Sequence, residues 1–165
     1  MSKKLEEIGL ALLAKKGTST LFKGKILSQS MEPLLKVGMY LKVERVDFGT
    51  IRVGDIICYE RTRVISGKKR KVLLVHRLVR LDKKRRIATV KGDNVAKPDT
   101  DILPQEFIGK AVSFIHRDKE YELATSRLRL INGILTFYSL LECHWSFFQA
   151  VPKGKKRLTK LICGF

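Results

Sequence analysis

Cysteine is scarce and odd in number, with Cys58, Cys143 and Cys163 the only three. No two of them stand at a metal-binding spacing. An odd count argues against a disulfide framework, so a reducing compartment is the simpler expectation. No Cys–His cluster suggests zinc, and no cofactor is expected. The 4 Pro and 12 Gly are too few for a collagenous or low-complexity chain. Long apolar runs are missing too. The patch at residues 8–14 is short and follows Glu6 and Glu7, which excludes a secretory signal at this point. A membrane span needs about 20 mostly apolar residues. Residues 130–152 come nearest, but Asn132, Glu142, His144 and Gln149 interrupt them, so they are not expected to cross. Acidic residues are the last scarcity: 16 Asp and Glu stand against 34 Lys and Arg, a formal charge of +18.

What is present suits one domain with a real core. The chain has 165 residues and 44% hydrophobic content. Its charge attracts polyanions, either nucleic acid or anionic lipid headgroups, without choosing between them. Leu5, Ile8, Leu12 and Leu13 recur at helical spacing, predicting a short helix over residues 3–16 and a connector to residue 23. From about residue 24 to 125 the pattern is that of short strands with turns between them. The clearest strands are 39–46, 56–61, 72–81, 86–91, 107–115 and 120–124. Cys58 lies in the apolar run Ile56-Ile57-Cys58-Tyr59 and reads as a buried strand residue. Residues 126–148 return to a helical, aromatic pattern flanked by Arg127, Arg129, Lys153, Lys155, Lys156 and Arg157. That suits either a helix on a membrane surface or a helix covering the β domain. The expected order is an N-terminal segment (1–23), a β domain (24–125), and a C-terminal amphipathic helix with a basic tail (126–165).

Three stretches could carry chemistry. Ser28-Gln29-Ser30-Met31-Glu32-Pro33 places a serine beside a proline-constrained turn. Such a serine can be a nucleophile or simply bond to nearby backbone. Leu74-Val75-His76-Arg77-Leu78 embeds a histidine in an aliphatic strand. Strand alternation puts His76 on the face of Leu74 and Leu78, with Arg77 opposite. A histidine among such neighbours tends to stay neutral, as a base must, but a satisfied core histidine is the plainer reading. Val90-Lys91-Gly92-Asp93-Asn94 reads as a turn after a strand, and Asp99 and Asp101 follow in a loop.

Each stretch alone is weak evidence, but their order and spacing form a pattern. Ser30-Met31-x-Pro33, Val37-Gly38, Val53-Gly54-Asp55-Ile56, Val75-His76-Arg77, Lys91-Gly92-Asp93-Asn94 and Ile108-Gly109 follow one another. Over roughly residues 24–115 the chain resembles the signal peptidase clan. The histidine where common bacterial members carry lysine resembles the archaeal and endoplasmic-reticulum-like branch. The resemblance implies a mainly β, antiparallel domain of signal-peptidase type with a short N-terminal helix and a C-terminal helical segment. It implies a serine endopeptidase with Ser30 as nucleophile and His76 as general base. Asp99 is favoured as the partner of His76, with Asp93 shaping the site and Asp101 a third candidate. Ser28 and Met31 match oxyanion and substrate-contacting positions.

The implied substrate is a precursor peptide cleaved after small residues while extended against strands. The chain lacks the hydrophobic anchor expected of an export enzyme and looks more like small unanchored members. A cytoplasmic or peripheral-membrane location is expected, with an anionic membrane surface as a possible partner. The related self-cleaving repressors need lysine where His76 stands. The alternative is a non-catalytic basic β domain that binds nucleic acid or serves as a scaffold. Nucleic acid is the lesser expectation, because most aromatics fall in the C-terminal helix rather than on strands.

Overall fold

A computed structural model describes residues 11–12, 21–99 and 101–144. Among these residues eight strands form one antiparallel sheet: β1 (Ala11–Leu12), β2 (Leu21–Lys25), β3 (Tyr40–Glu44), β4 (Ile56–Ile65), β5 (Lys68–Asp82), β6 (Ile87–Lys91), β7 (Phe107–His116) and β8 (Lys119–Glu122). Their order is β1-β2-β3-β7-β4-β5-β6, with β8 paired to β7. One helix follows, α1 (Ser126–His144). The architecture is mainly β with a C-terminal helix, as the sequence suggests.

Period-two alternation divides the core between the two faces of the sheet. Ile56 and Cys58 on β4 and Val75 on β5 join one cluster, with Leu41, Val43, Phe114 and the loop residues Met31, Leu34 and Leu35. Ile57 and Tyr59 join the other, with Leu78, Ala88, Val90 and Ile102. Being buried on both faces, the first residues of β4 form a continuous apolar run. The β4–β5 pairing sets Ile57 opposite His76 and Ile56 opposite Arg77, so the expected opposition of His76 and Arg77 holds.

The helix packs on the sheet through two adjacent stripes. Leu128, Ile131 and Leu135 join the first core cluster, each side chain contributing about 1.5–3 kcal/mol on burial. Asn132, Thr136 and Ser139, also at helical spacing, meet the buried pair of Arg77 on β5 and Asp93 in the turn after β6. Leu130 and Phe137 lie on the exposed side. This seating favours the covering-helix reading for one face of α1. The expected continuation to residue 148 lies outside the described residues, as does the basic tail.

The structure departs from the sequence reading at several points. Ala11–Leu12, inside the expected helix at 3–16, is a strand paired with Gly24 and Lys25; the rest of that expected helix lies outside the described residues. Leu21–Lys25 is a strand where a connector was expected, because tertiary pairing with β3 overrides a lysine- and glycine-bearing segment of weak β preference. The polar break at 66–69 shrinks to Ser66-Gly67. Both have positive φ, +51° and +76°, the backbone of a tight two-residue hairpin, and β5 starts at Lys68.

Candidate active site

Ser30 lies in the connector between β2 and β3. The connector is held at both ends by backbone. The Ile26 N–H donates to the Met39 carbonyl at 2.8 Å, and the Gly38 N–H to the Ile26 carbonyl at 2.9 Å. Buried Met31, Leu34 and Leu35 anchor its middle. The turn after β6 clamps the serine itself. The Asn94 N–H donates to the Ser30 carbonyl at 2.8 Å, and the Asn94 side-chain amide to the Gln29 carbonyl at 3.2 Å. Gly92 makes this approach possible. A Cβ there would stand 2.8 Å from the Ser30 carbonyl oxygen and 3.3 Å from His76 Nε2.

A continuous hydrogen-bond chain runs through Ser30, His76 and Asp99. Ser30 Oγ is 3.2 Å from His76 Nε2, and His76 Nδ1 is 2.5 Å from Asp99 Oδ2. Asp99 is brought in by its own N–H, which donates to the Val90 carbonyl at 2.8 Å. Burial raises the Asp99 carboxyl. The hydrogen bond and charge of His76, together with the Tyr59 hydroxyl, outweigh that and hold it below the ordinary aspartate value. At neutral pH Asp99 is therefore an acceptor only, so His76 Nδ1 is the donor between them, and Nε2 is the nitrogen that faces Ser30.

Tyr59 completes this arrangement. Its hydroxyl donates to Asp99 Oδ2 at 2.5 Å and lies 2.9 Å from His76 Nδ1. Burial and the adjacent carboxylate push its pKa well above the usual tyrosine value, so it stays a donor. The side chain is buried and fixes both partners from β4. In the sequence Tyr59 is only the last member of an apolar run, with no role assigned to it. The available signal was its hydroxyl, since a buried tyrosine almost always finds a polar partner.

Asp93 and Asp101 are placed elsewhere. Asp93 is buried and forms a two-pronged ion pair with Arg77, Nε to Oδ1 and Nη2 to Oδ2, both 2.7 Å. Arg77 Nη1 donates to the Gly54 carbonyl at 3.1 Å and also to Asn132 of α1. A second buried pair joins Lys91 to Glu142 of the helix. Asp93 thus shapes the site by tying the sheet to α1, without touching His76. Asp101 Oδ1 accepts from Thr89 Oγ1 at 2.6 Å. Of the three candidates, Asp99 partners the histidine.

Ser28 Oγ lies 3.1 Å from Ser30 Oγ. Beside the pair is a cleft of about 30 Å³, lined by Ile26, Leu27, Met31, Leu73 and Val75 together with Ser28, Ser30 and His76. Met31 is nearly fully buried and forms part of its wall. A cleft of about 780 Å³ lies apart from these residues, lined by Arg52, Arg80, Lys83, Lys84 and Arg85, and contains no nucleophile–base pair. Cys58 is no rival nucleophile: burial pushes its thiol up to about 12, so it stays protonated. Among the described residues no three His, Cys, Asp or Glu side chains converge to hold a metal ion. Comparison of the chain with protein-family models, with curated proteins and with solved structures finds no match.

Proposed function

We propose that the chain is a serine endopeptidase of signal-peptidase type that cleaves precursor peptides after small residues. One observation carries this reading: Ser30, His76 and Asp99 stand in hydrogen-bonded series beside a small cleft. Ser30 Oγ attacks the scissile carbonyl carbon while its proton passes to His76 Nε2. The imidazolium that forms is stabilised by ionised Asp99 through Nδ1–H. Collapse of the tetrahedral adduct breaks the C–N bond, and Nε2 returns the proton to the leaving amine. Water, deprotonated by the same Nε2, then hydrolyses the acyl ester on Ser30. The Ser30 N–H and the Ser28 hydroxyl, 3.1 Å from Ser30 Oγ, would serve as donors to the developing oxyanion. Losing one such donor typically costs about 100- to 1000-fold in rate.

Cleft size supports the preference for small side chains. A cleft holds a water once about 10–15 Å³ is open to it, so about 30 Å³ suits a group of one or two heavy atoms, such as a methyl or hydroxymethyl. Cleavage of a peptide series varying only the residue before the scissile bond tests this. Ala or Ser there is expected to exceed Leu by at least about 100-fold in kcat/KM, because a larger side chain must displace packed walls. Equal rates across the series would contradict it. No described helix is long and apolar enough to cross a membrane. With a charge of +18, the reading places the enzyme in the cytoplasm or peripherally on an anionic membrane surface.

A further inference from the structure

Strand β5 is half covered. Arg77–Asp82 pair with β6, whereas Lys68–His76 pair only with β4 among the described residues. Among the described residues nothing pairs with the outer backbone edge of 68–76, and the cleft beside Ser30 adjoins it at Leu73–His76. Beyond the cleft the edge carries Lys68, Lys69, Arg70 and Lys71 in succession, all exposed. Lys71 pairs with Glu60 at 2.7 Å. Lys68, Lys69 and Arg70 have no ion pair among the described residues. Across the hairpin Arg70 stands directly opposite Arg63, a like-charge register that costs stability.

We infer that this edge binds an acidic segment of the substrate. The inference rests on the peptidase reading for its cleaving site, but its binding arm does not. A peptide adding a strand to the open edge would alternate its side chains between both faces of the sheet. The four cations alternate too, so acidic side chains on either face of the bound strand would meet one. An added strand has the same rise as β5, about 3.3 Å per residue. The residues beside 68–71 thus lie about five to eight positions from the scissile bond, on one side of it. A planar lipid surface would draw on cations from one face only. Single-stranded nucleic acid would need stacking platforms, and residues 61–75 contain no aromatic. Lysines on an exposed edge can also serve merely to discourage aggregation, and the experiment separates that role.

The experiment compares wild type with Lys68→Glu/Lys69→Glu/Arg70→Glu on peptides sharing one cleavable core. Each core carries an Asp-rich, Ser-rich or Lys-rich flank at the stated distance, on either side. The expected result is a preference of wild type for the Asp-rich flank on one side, about 3- to 30-fold in kcat/KM over the Ser-rich one. High salt should weaken it, and in the triple variant the preference should reverse toward Lys. Fluorescence anisotropy of the same peptides on the Ser30→Ala background reads binding without turnover. If no peptide is cleaved yet Asp-flank binding persists and reverses with charge, the peptidase reading falls and this inference stands. Equal cleavage and equal binding of all flanks, unchanged in the variant, would overturn it. So would a variant that loses only phosphatidylserine-vesicle or oligonucleotide binding while peptide discrimination is unaltered.

Discussion

Replacing Asp93 by Ala should destabilise the fold far more than its position in a turn suggests. Arg77 and Asp93 are both completely buried, so the substitution leaves a guanidinium without its counter-ion in the core. Arg77 would keep the Gly54 carbonyl and Asn132, but Nε and Nη2 would lose their acceptors. Breaking a buried pair from one side costs about 3–5 kcal/mol, against a total stability of about 5–15 kcal/mol for a domain. At about 2–4 °C per kcal/mol for a chain of this length, the melting temperature should drop by about 6–20 °C. The double variant Arg77→Met/Asp93→Ala removes both charges and should recover most of the loss. Thermal unfolding followed by circular dichroism, with urea titration beside it, measures both. The reasoning fails if Asp93→Ala melts within about 2 °C of wild type, or if the double variant is less stable than the single.

Other expectations follow from the site. Asp99→Asn, by contrast, should keep most of the stability, since Asp99 is about a quarter exposed, and should lose about 10⁴-fold in kcat through the wrong imidazole tautomer. Equal loss of activity in Asp99→Asn and in a folded Asp93→Asn would contradict the division of roles. Tyr59→Phe removes one donor to Asp99 and should lower kcat by about 10-fold. It should also raise the pH at which Asp99 itself titrates, since the hydroxyl helps to hold the carboxyl down; NMR titration of that carboxyl reads the change, and an unmoved midpoint would make Tyr59 a packing residue only. Gly92→Ala forces a Cβ against the Ser30 carbonyl and toward His76 Nε2 and should cost about 100-fold in kcat through misplacement. Activity near wild type would refute the close approach. The folded pKa of Asp99 is depressed, so its stabilising contribution is fully present above the ordinary aspartate value of about 3.9 and is lost as pH falls through the lower folded value. Urea midpoints of wild type should therefore fall toward those of Asp99→Asn below about pH 4, and parallel curves would contradict this.

Much of this was legible in the residues, because it lies in strand periodicity and motif spacing. Alternation on β5 was enough to separate His76 from Arg77, whereas the loop after β6 as the source of the acid was implied by the family resemblance alone. What could not be read locally was long-range partnership. Alternation set Arg77 on the face opposite His76 without showing what covers that face, and α1 returns over it and buries Arg77 with Asp93. Tyr59 and Asp99 are 40 residues apart, and only the β4–β5–β6 order brings them together. Strand β2 was missed because its pairing with β3, rather than its own composition, makes it a strand. In the same way, Gly92-Asp93-Asn94 reads as a single turn, but its three residues act on two separate targets, the Ser30 loop and Arg77. Gly92 admits the Ser30 loop, Asp93 neutralises Arg77, and Asn94 fastens Gln29 and Ser30.

Cleavage of a mixed peptide library by the purified chain, read by mass spectrometry, tests the proposed chemistry most directly. Wild type, Ser30→Ala and His76→Ala would run side by side, with and without anionic vesicles. The expected result is cleavage after small residues by wild type, lost in both variants by about 10⁶-fold. No cleavage by folded wild type under either condition, or cleavage that survives Ser30→Ala, would contradict it.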